Sequence, residues 1–203
     1  WLVDGMLEAA RSIESSTELR RVLSALVAVP ELSDELFLEA LDVSEEIASS
    51  RERAGLLQKL VAVLPSSPEL ASRYIEVAST ISSSVEKRSA LATLLEDRAL
   101  PPGVCVEWVR SASRVASSEV QADLLVAAAR RCAAATEVLP VYLAAVEELP
   151  SSVDQRRALV AMAEVAAADA AARAAIAAVA ERAVASASER AAVLEHLATA
   201  AQP

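Results

Sequence analysis

A serine returns every 34 residues along the chain, at Ser16, Ser50, Ser84, Ser118, Ser152 and Ser186, and its neighbours return with it. Three residues earlier stand Ile13, Ile47, Ile81, Val115, Leu149 and Ala183, and seven later stand Leu23, Leu57, Leu91, Leu125, Leu159 and Val193. On this spacing no insertion breaks the count. A fixed period of this size belongs to chains built from one supersecondary unit, which cannot bury its own apolar face and must stack on its neighbours. The 203 residues then divide into six units of one repeat domain, approximately 1–34, 35–68, 69–102, 103–136, 137–170 and 171–203.

The second unit shows what each repeat contains. Leu36, Ala40, Val43 and Ile47 fall on one helical stripe, widened by Phe37, Leu41 and Ser44, while Glu39, Asp42, Glu45 and Glu46 fill the opposite face. A second helix follows, with Leu56, Leu57, Leu60, Val61 and Leu64 at helical spacing and Pro65 as its stop. Its start carries Ser49 three residues before Glu52, as Ser15 precedes Glu18, Ser83 precedes Glu86 and Ser151 precedes Asp154. This is the capping-box pattern, in which the serine hydroxyl accepts from the amide three residues on and the acid reaches back to the serine amide. On the same count Val120 replaces the acid in the fourth unit. In the sixth, Ser188 replaces the acid and Ala185 the serine. Ser33-Asp34-Glu35 and Ser67-Pro68-Glu69 announce the first helix of their units, and Pro101-Pro102-Gly103 marks the break before the fourth. Pro140 predicts a late start for the first helix of the fifth unit, near Pro140, with an end near Leu149-Pro150.

The fold expected is therefore all-α: an α-solenoid of about six 34-residue helix-turn-helix repeats. A closed α/α ring is the alternative, because Trp1, Leu2, Val3, Met6 and Leu7 leave the first helix without an obvious polar cap. His196 argues the other way. It stands in the column of Leu26, Leu60, Leu94 and Met162, where a polar residue suits a last unit whose core position faces water.

The repeat length equals that of the tetratricopeptide repeat, but the Trp, Leu-Gly, Tyr, Ala, Phe and Pro positions of that family do not occur in order. The boxes Ile13-Glu14-Ser15-Ser16-Thr17-Glu18-Leu19-Arg20-Arg21-Val22-Leu23 and Ile81-Ser82-Ser83-Ser84-Val85-Glu86-Lys87-Arg88-Ser89-Ala90-Leu91 instead resemble helical tandem repeats of bacterial proteins. Those carry an Ile-Ser-Ser-Asp-Tyr-Glu-(any)-Arg-Arg-Val-Leu type of box. The resemblance covers about a third of each unit and lacks the Asp-Tyr pair; it implies a solenoid segment and no chemistry. A designed origin also stays open. The regular units and the lack of any Asn fit design, whereas 17 Arg against 2 Lys and divergent copies fit a GC-rich genome.

Net charge and motifs narrow the function. A formal charge of −10 disfavours a broad basic surface for nucleic acid or anionic lipid. No apolar run is long enough to span a membrane and no signal peptide is visible, so a cytoplasmic location is expected. Cys105 and Cys132 form no framework of several bridges and have no metal-ligand neighbours, so both are expected reduced and partly buried. With His196 the only histidine and Gly5, Gly55 and Gly103 the only glycines, neither a catalytic triad in more than one arrangement nor a phosphate-cradling loop can be assembled. No catalytic, metal or cofactor residue is assigned; an enzyme would need a pocket near His196 or Cys105.

Two columns remain as candidates for a protein or peptide partner on a concave surface. Tyr74, Trp108 and Tyr142 follow one another in successive first helices, after Met6 and Ala40 and before Ile176. Exposed, they would grip a ligand; the periodicity places them in the apolar stripe, where aromatics are core. Arg20, Arg88, Arg156 and Arg190, with Ala54 and Ala122 in the gaps, could receive an acidic peptide, though Glu18, Glu52, Glu86 and Asp154 lie within a turn and favour local pairing. The acids Glu39, Asp42, Glu45, Glu46, Glu76, Glu147 and Glu148 read as a solvated face interrupted by Arg73, Arg110 and Arg114. The two readings carried forward are a binding scaffold and a structural or designed array with no ligand.

Overall fold

A computed structural model describes residues 2–29, 32–133 and 136–200, with the side chains of residues 2–4 and 200 left aside, so the expectation placed on Trp1 lies outside the described residues. Among those described there are twelve α-helices and no strand. They are α1 (Leu2–Ala10), α2 (Ser16–Leu26), α3 (Asp34–Ser44), α4 (Ser50–Val63), α5 (Pro68–Ser79) and α6 (Ser84–Asp97), then α7 (Pro102–Ser113), α8 (Ser118–Cys132), α9 (Val138–Glu147), α10 (Ser152–Val165), α11 (Ala170–Ala183) and α12 (Ala187–Ala200). Contacts group them into two compact halves, residues 1–100 and 101–203. Within each half each helix packs on the helix two places away, and sequential neighbours pack on one another throughout the second half and, in the first, at α1–α2, α2–α3, α4–α5 and α5–α6. In the first half α1, α3 and α5 form one row and α2, α4 and α6 the other; in the second half α7, α9 and α11 face α8, α10 and α12.

The helix starts follow from serine chemistry. Ser15, Ser49, Ser83, Ser117 and Ser151 are extended, and each hydroxyl accepts from the amide three residues on: Glu18, Glu52, Glu86, Val120 and Asp154. Ser33 and Ser67 cap α3 and α5 in the same way. Val63 ends α4 because Leu64, ahead of Pro65, is extended. Pro140 is the third residue of α9, where its missing N–H has no intrahelical acceptor to lose; the helix starts two residues before it, and no side chain caps it.

Burial follows the expected stripes. Phe37, Ala40, Leu41, Val43 and Ser44 are buried on α3 and Ile47 in the turn after it, and Leu56, Leu57, Leu60 and Val61 on α4 with Leu64 just past its end; Leu36 is half-buried. The Ser44 hydroxyl meets the cost of burial by donating to the Leu41 carbonyl at 2.6 Å.

The uninterrupted count of 34 does not survive. In five pairs the first helix ends in a tight turn whose last amide reaches back three residues: Ile13 to Ala10, Ile47 to Ser44, Ile81 to Ala78, Val115 to Ala112 and Leu149 to Val146. In α11 the amide of Val184 reaches back four, to Ala180. Completing a full α turn there inserts one residue between columns that are otherwise in step. Val184, not Ala183, takes the buried Ile13 place, and Leu197, not His196, takes the Leu26 place. The cap of α12 is likewise present one position later than expected, with the Ser186 hydroxyl accepting from the Glu189 amide at 3.4 Å. Ala185 and Ser188 therefore replace nothing; the box has moved.

The cysteines are the second correction. Cys105, in the first turn of α7, and Cys132, the last residue of α8, are bonded as a disulfide with Cα atoms 5.8 Å apart. Antiparallel packing of α7 on α8 brings together residues 27 apart in sequence, a proximity that spacing rules for metal ligands do not test.

Candidate functional site

The aromatic column is core. Tyr74, Trp108 and Tyr142 are each 0 % exposed, so none of the three is available to grip a ligand. Tyr74 donates its hydroxyl to the Ala90 carbonyl at 2.9 Å and Tyr142 to the Ala158 carbonyl at 2.8 Å, both sixteen residues on in the partner helix of the same pair. Burial pushes both phenols far above their ordinary range, with Asp97 adding to the effect at Tyr74. These hydroxyls pin first helix to second helix and are fully occupied by that role.

The basic column splits. Arg20 on α2 pairs with Glu52 on α4, and Arg156 on α10 with Glu189 on α12. Both acids sit at the third position of a helix start, where the capping box would turn them back on the serine amide. That amide has another partner. Ser49 N–H donates to the Ser16 hydroxyl at 3.2 Å, and Ser186 N–H to the Ser152 hydroxyl at 3.2 Å. The serine of the 34-residue count thus joins one pair to the next, and the freed acid takes an arginine from the preceding pair. Ser50 meets Ser82 at 2.9 Å and Ser118 donates to Asp154 at 2.7 Å, so the same column serves the same purpose elsewhere.

Arg190 belongs with a different set. Its guanidinium donates to the Val184 carbonyl at 2.8 Å, as Arg53 donates to Ile47 at 3.0 Å and to Glu45 at 2.5 Å, both tying down the turn between the helices of a pair. Gln155 does the same to the Val146 carbonyl at 3.4 Å. Burial lowers the Arg53 guanidinium against the pull of Glu45, and lowers Lys87 in the same column. Arg88 is exposed on α6. Arg157 bridges Asp123 and Asp154. On the acidic face expected to be simply solvated, Arg73 draws together Asp42, Glu45 and Glu76, and Glu46 pairs with Arg11, so much of it is paired.

His196 is half-buried on α12, and Cys105 carries no thiol because its sulfur is bonded. Among the described residues no group of three or more His, Cys, Asp or Glu side chains is placed to hold a metal ion, and no helix is long and apolar enough to cross a membrane.

Two grooves open to solvent flank α9. A groove of about 370 Å³ runs between α7 and α9, with Pro140, Val141 and Ala144 on its floor and Arg110 and Glu148 at its rim. A second, of about 390 Å³, runs between α9 and α11 over Leu143, Ala144 and Ala178, with Glu147 and Arg182 paired across it. Both depend on small residues: alanine at 144 and 178 leaves the helix backbones near the surface. The proline was legible in the sequence, whereas the grooves needed the packing of α7, α9 and α11 to be known. Compared with protein families, curated proteins and solved structures, the chain matches none.

Proposed function

We propose that the chain is a non-enzymatic helical-repeat scaffold that binds a protein or peptide partner, and that the surface around α9 is where it does so. The observation carrying this reading is the pair of grooves flanking α9, which combine an apolar floor with charges of both signs at the rim. Such a surface suits a segment that lays alternate apolar side chains into the grooves and keeps its charges at the edge. The resemblance to bacterial Ile-Ser-Ser-type tandem repeats agrees with a solenoid role. The bonded cysteines favour an oxidising location over the cytoplasmic one expected from the sequence.

A second reading, a purely structural or designed array with no ligand, draws support from the same side chains. Tyr74, Tyr142, Arg20 and Arg156 are all engaged in holding helices together. Panning a random peptide library displayed on phage against the wild type and against Ala144→Glu/Ala178→Glu separates the two. Peptides that hold the wild type and lose at least tenfold in affinity for the variant support the scaffold reading. A library that yields nothing distinguishing the two proteins, while both keep the same helical signal, supports the array without ligand.

A further inference from the structure

The positions closed by Cys105 and Cys132 recur at the 34-residue spacing, and in the second, third and fifth pairs they are filled differently each time. In the second pair the equivalent residues are Phe37 and Leu64, both buried. In the third they are Ala71 and Arg98, whose guanidinium turns away to donate to the Val61 carbonyl. In the fifth they are Leu139 and Ala166, which border a hollow of about 290 Å³ together with Met162, Val165 and Ala133. Ala133 directly follows Cys132. The bond therefore fixes the end of α8 at the wall of that hollow, in a pair whose first helix has little else to hold its start: the residue before α7 is Pro101, which makes no side-chain cap bond, and the first turn contains no acid.

We infer that the Cys105–Cys132 bond is a redox-operated latch, holding the first turn of α7 to the end of α8 as a disulfide and releasing both as a dithiol. The co-reactant is a dithiol reductant. One of its thiolates attacks a protein sulfur, the sulfur–sulfur bond breaks to give a mixed disulfide and a protein thiolate, and the second reductant sulfur displaces the other cysteine. Two electrons pass to the protein, two protons follow from the reductant thiols, and the reductant leaves as its own disulfide. Cys105 and Cys132 are each 2 % exposed, so attack requires the end of the pair to open first. Once the bond is broken, two small thiols stand where the larger Phe37 and Leu64 side chains are buried two pairs earlier.

Amide hydrogen exchange on the whole chain, with and without dithiothreitol, tests the latch. A thiol count under unfolding conditions should give none before reduction and two after. Reduction should speed exchange at least tenfold in peptides covering 102–106 and 128–133, with peptides from α4 unchanged. Cys105→Ala/Cys132→Ala should exchange like the reduced protein. Cys105→Phe/Cys132→Leu, which copies the second pair, should exchange like the oxidised one and ignore dithiothreitol. Unchanged exchange after verified reduction, or two free thiols in the protein purified without reductant, overturns the latch. Should either variant fail to fold, the wild-type comparison alone decides.

Discussion

Arg156 reaches Glu189 thirty-three residues on, whereas Arg20 reaches the equivalent Glu52 at thirty-two. The serine contacts shift alike, from thirty-three for Ser16 with Ser49 to thirty-four for Ser152 with Ser186. Two unrelated kinds of bond lengthen by the same single residue, which the full α turn at Val184 supplies. A double-mutant cycle on Arg156→Ala and Glu189→Ala should give a coupling of about 0.5 kcal/mol, small because both side chains are partly exposed. The cycle with Ser188→Ala, which occupies the acid position on an unbroken count of 34, should give none. Coupling to Ser188 with none to Glu189, measured by urea denaturation, would restore the unbroken count.

Ser16→Ala should cost about 1–2 kcal/mol, as much as removing the cap hydroxyl with Ser15→Ala. The first leaves the partly buried Ser49 amide without its acceptor, and the second leaves that of Glu18. Chemical denaturation midpoints check this, and a harmless Ser16→Ala would mean that the amide finds water instead.

Tyr74→Phe and Tyr142→Phe should each lose about 1 kcal/mol at neutral pH by stripping a buried hydroxyl from its carbonyl. Their pH dependence has a definite sign. Folding raises both phenols, so their contribution is intact below the unfolded value of about 10 and is lost as pH climbs above it, when the unfolded chain sheds protons that the folded one keeps. Stability should fall above that pH by up to about 1.4 kcal/mol per pH unit for each phenol, and the double phenylalanine variant should flatten the slope. An identical alkaline slope in variant and wild type would show that the phenols reach solvent.

Gly55→Ala should stabilise the protein by about 0.5–1 kcal/mol. The residue lies inside α4, where a methyl would meet only the Arg20 side chain, at an ordinary 4.0 Å. Thermal unfolding of the variant gives the answer, and a lower midpoint would mean that the methyl disturbs the neighbouring Arg20–Glu52 pair.

Much of the local architecture could be read before any coordinates. Serine caps, proline stops and the stripe through Ala40, Val43 and Ile47 are set by residues within one or two turns of each other, and local chemistry has few solutions. What the sequence concealed lies between pairs. Glu52 looked like the second half of a capping box because nothing within a turn shows that Arg20, a whole repeat earlier, competes for it. The shift in the sixth pair was hidden for a related reason: Ser186 falls on the 34-residue column by coincidence, since one serine replaces another when the chain slips by one. Cys105 and Cys132 meet only because α7 and α8 run antiparallel, and composition offers no cue to that. The grooves beside α9 arise from how α7, α9 and α11 pack, which residue spacing along one helix does not show.

The hydroxyl of Ser16 receives the start of α4, and that of Ser152 the start of α12. Coupling through such a bond is mutual, so the helix start and the hydroxyl of the preceding pair gain or lose stability together. Harm at either serine therefore registers in two pairs at once, and the seam between them frays as one piece.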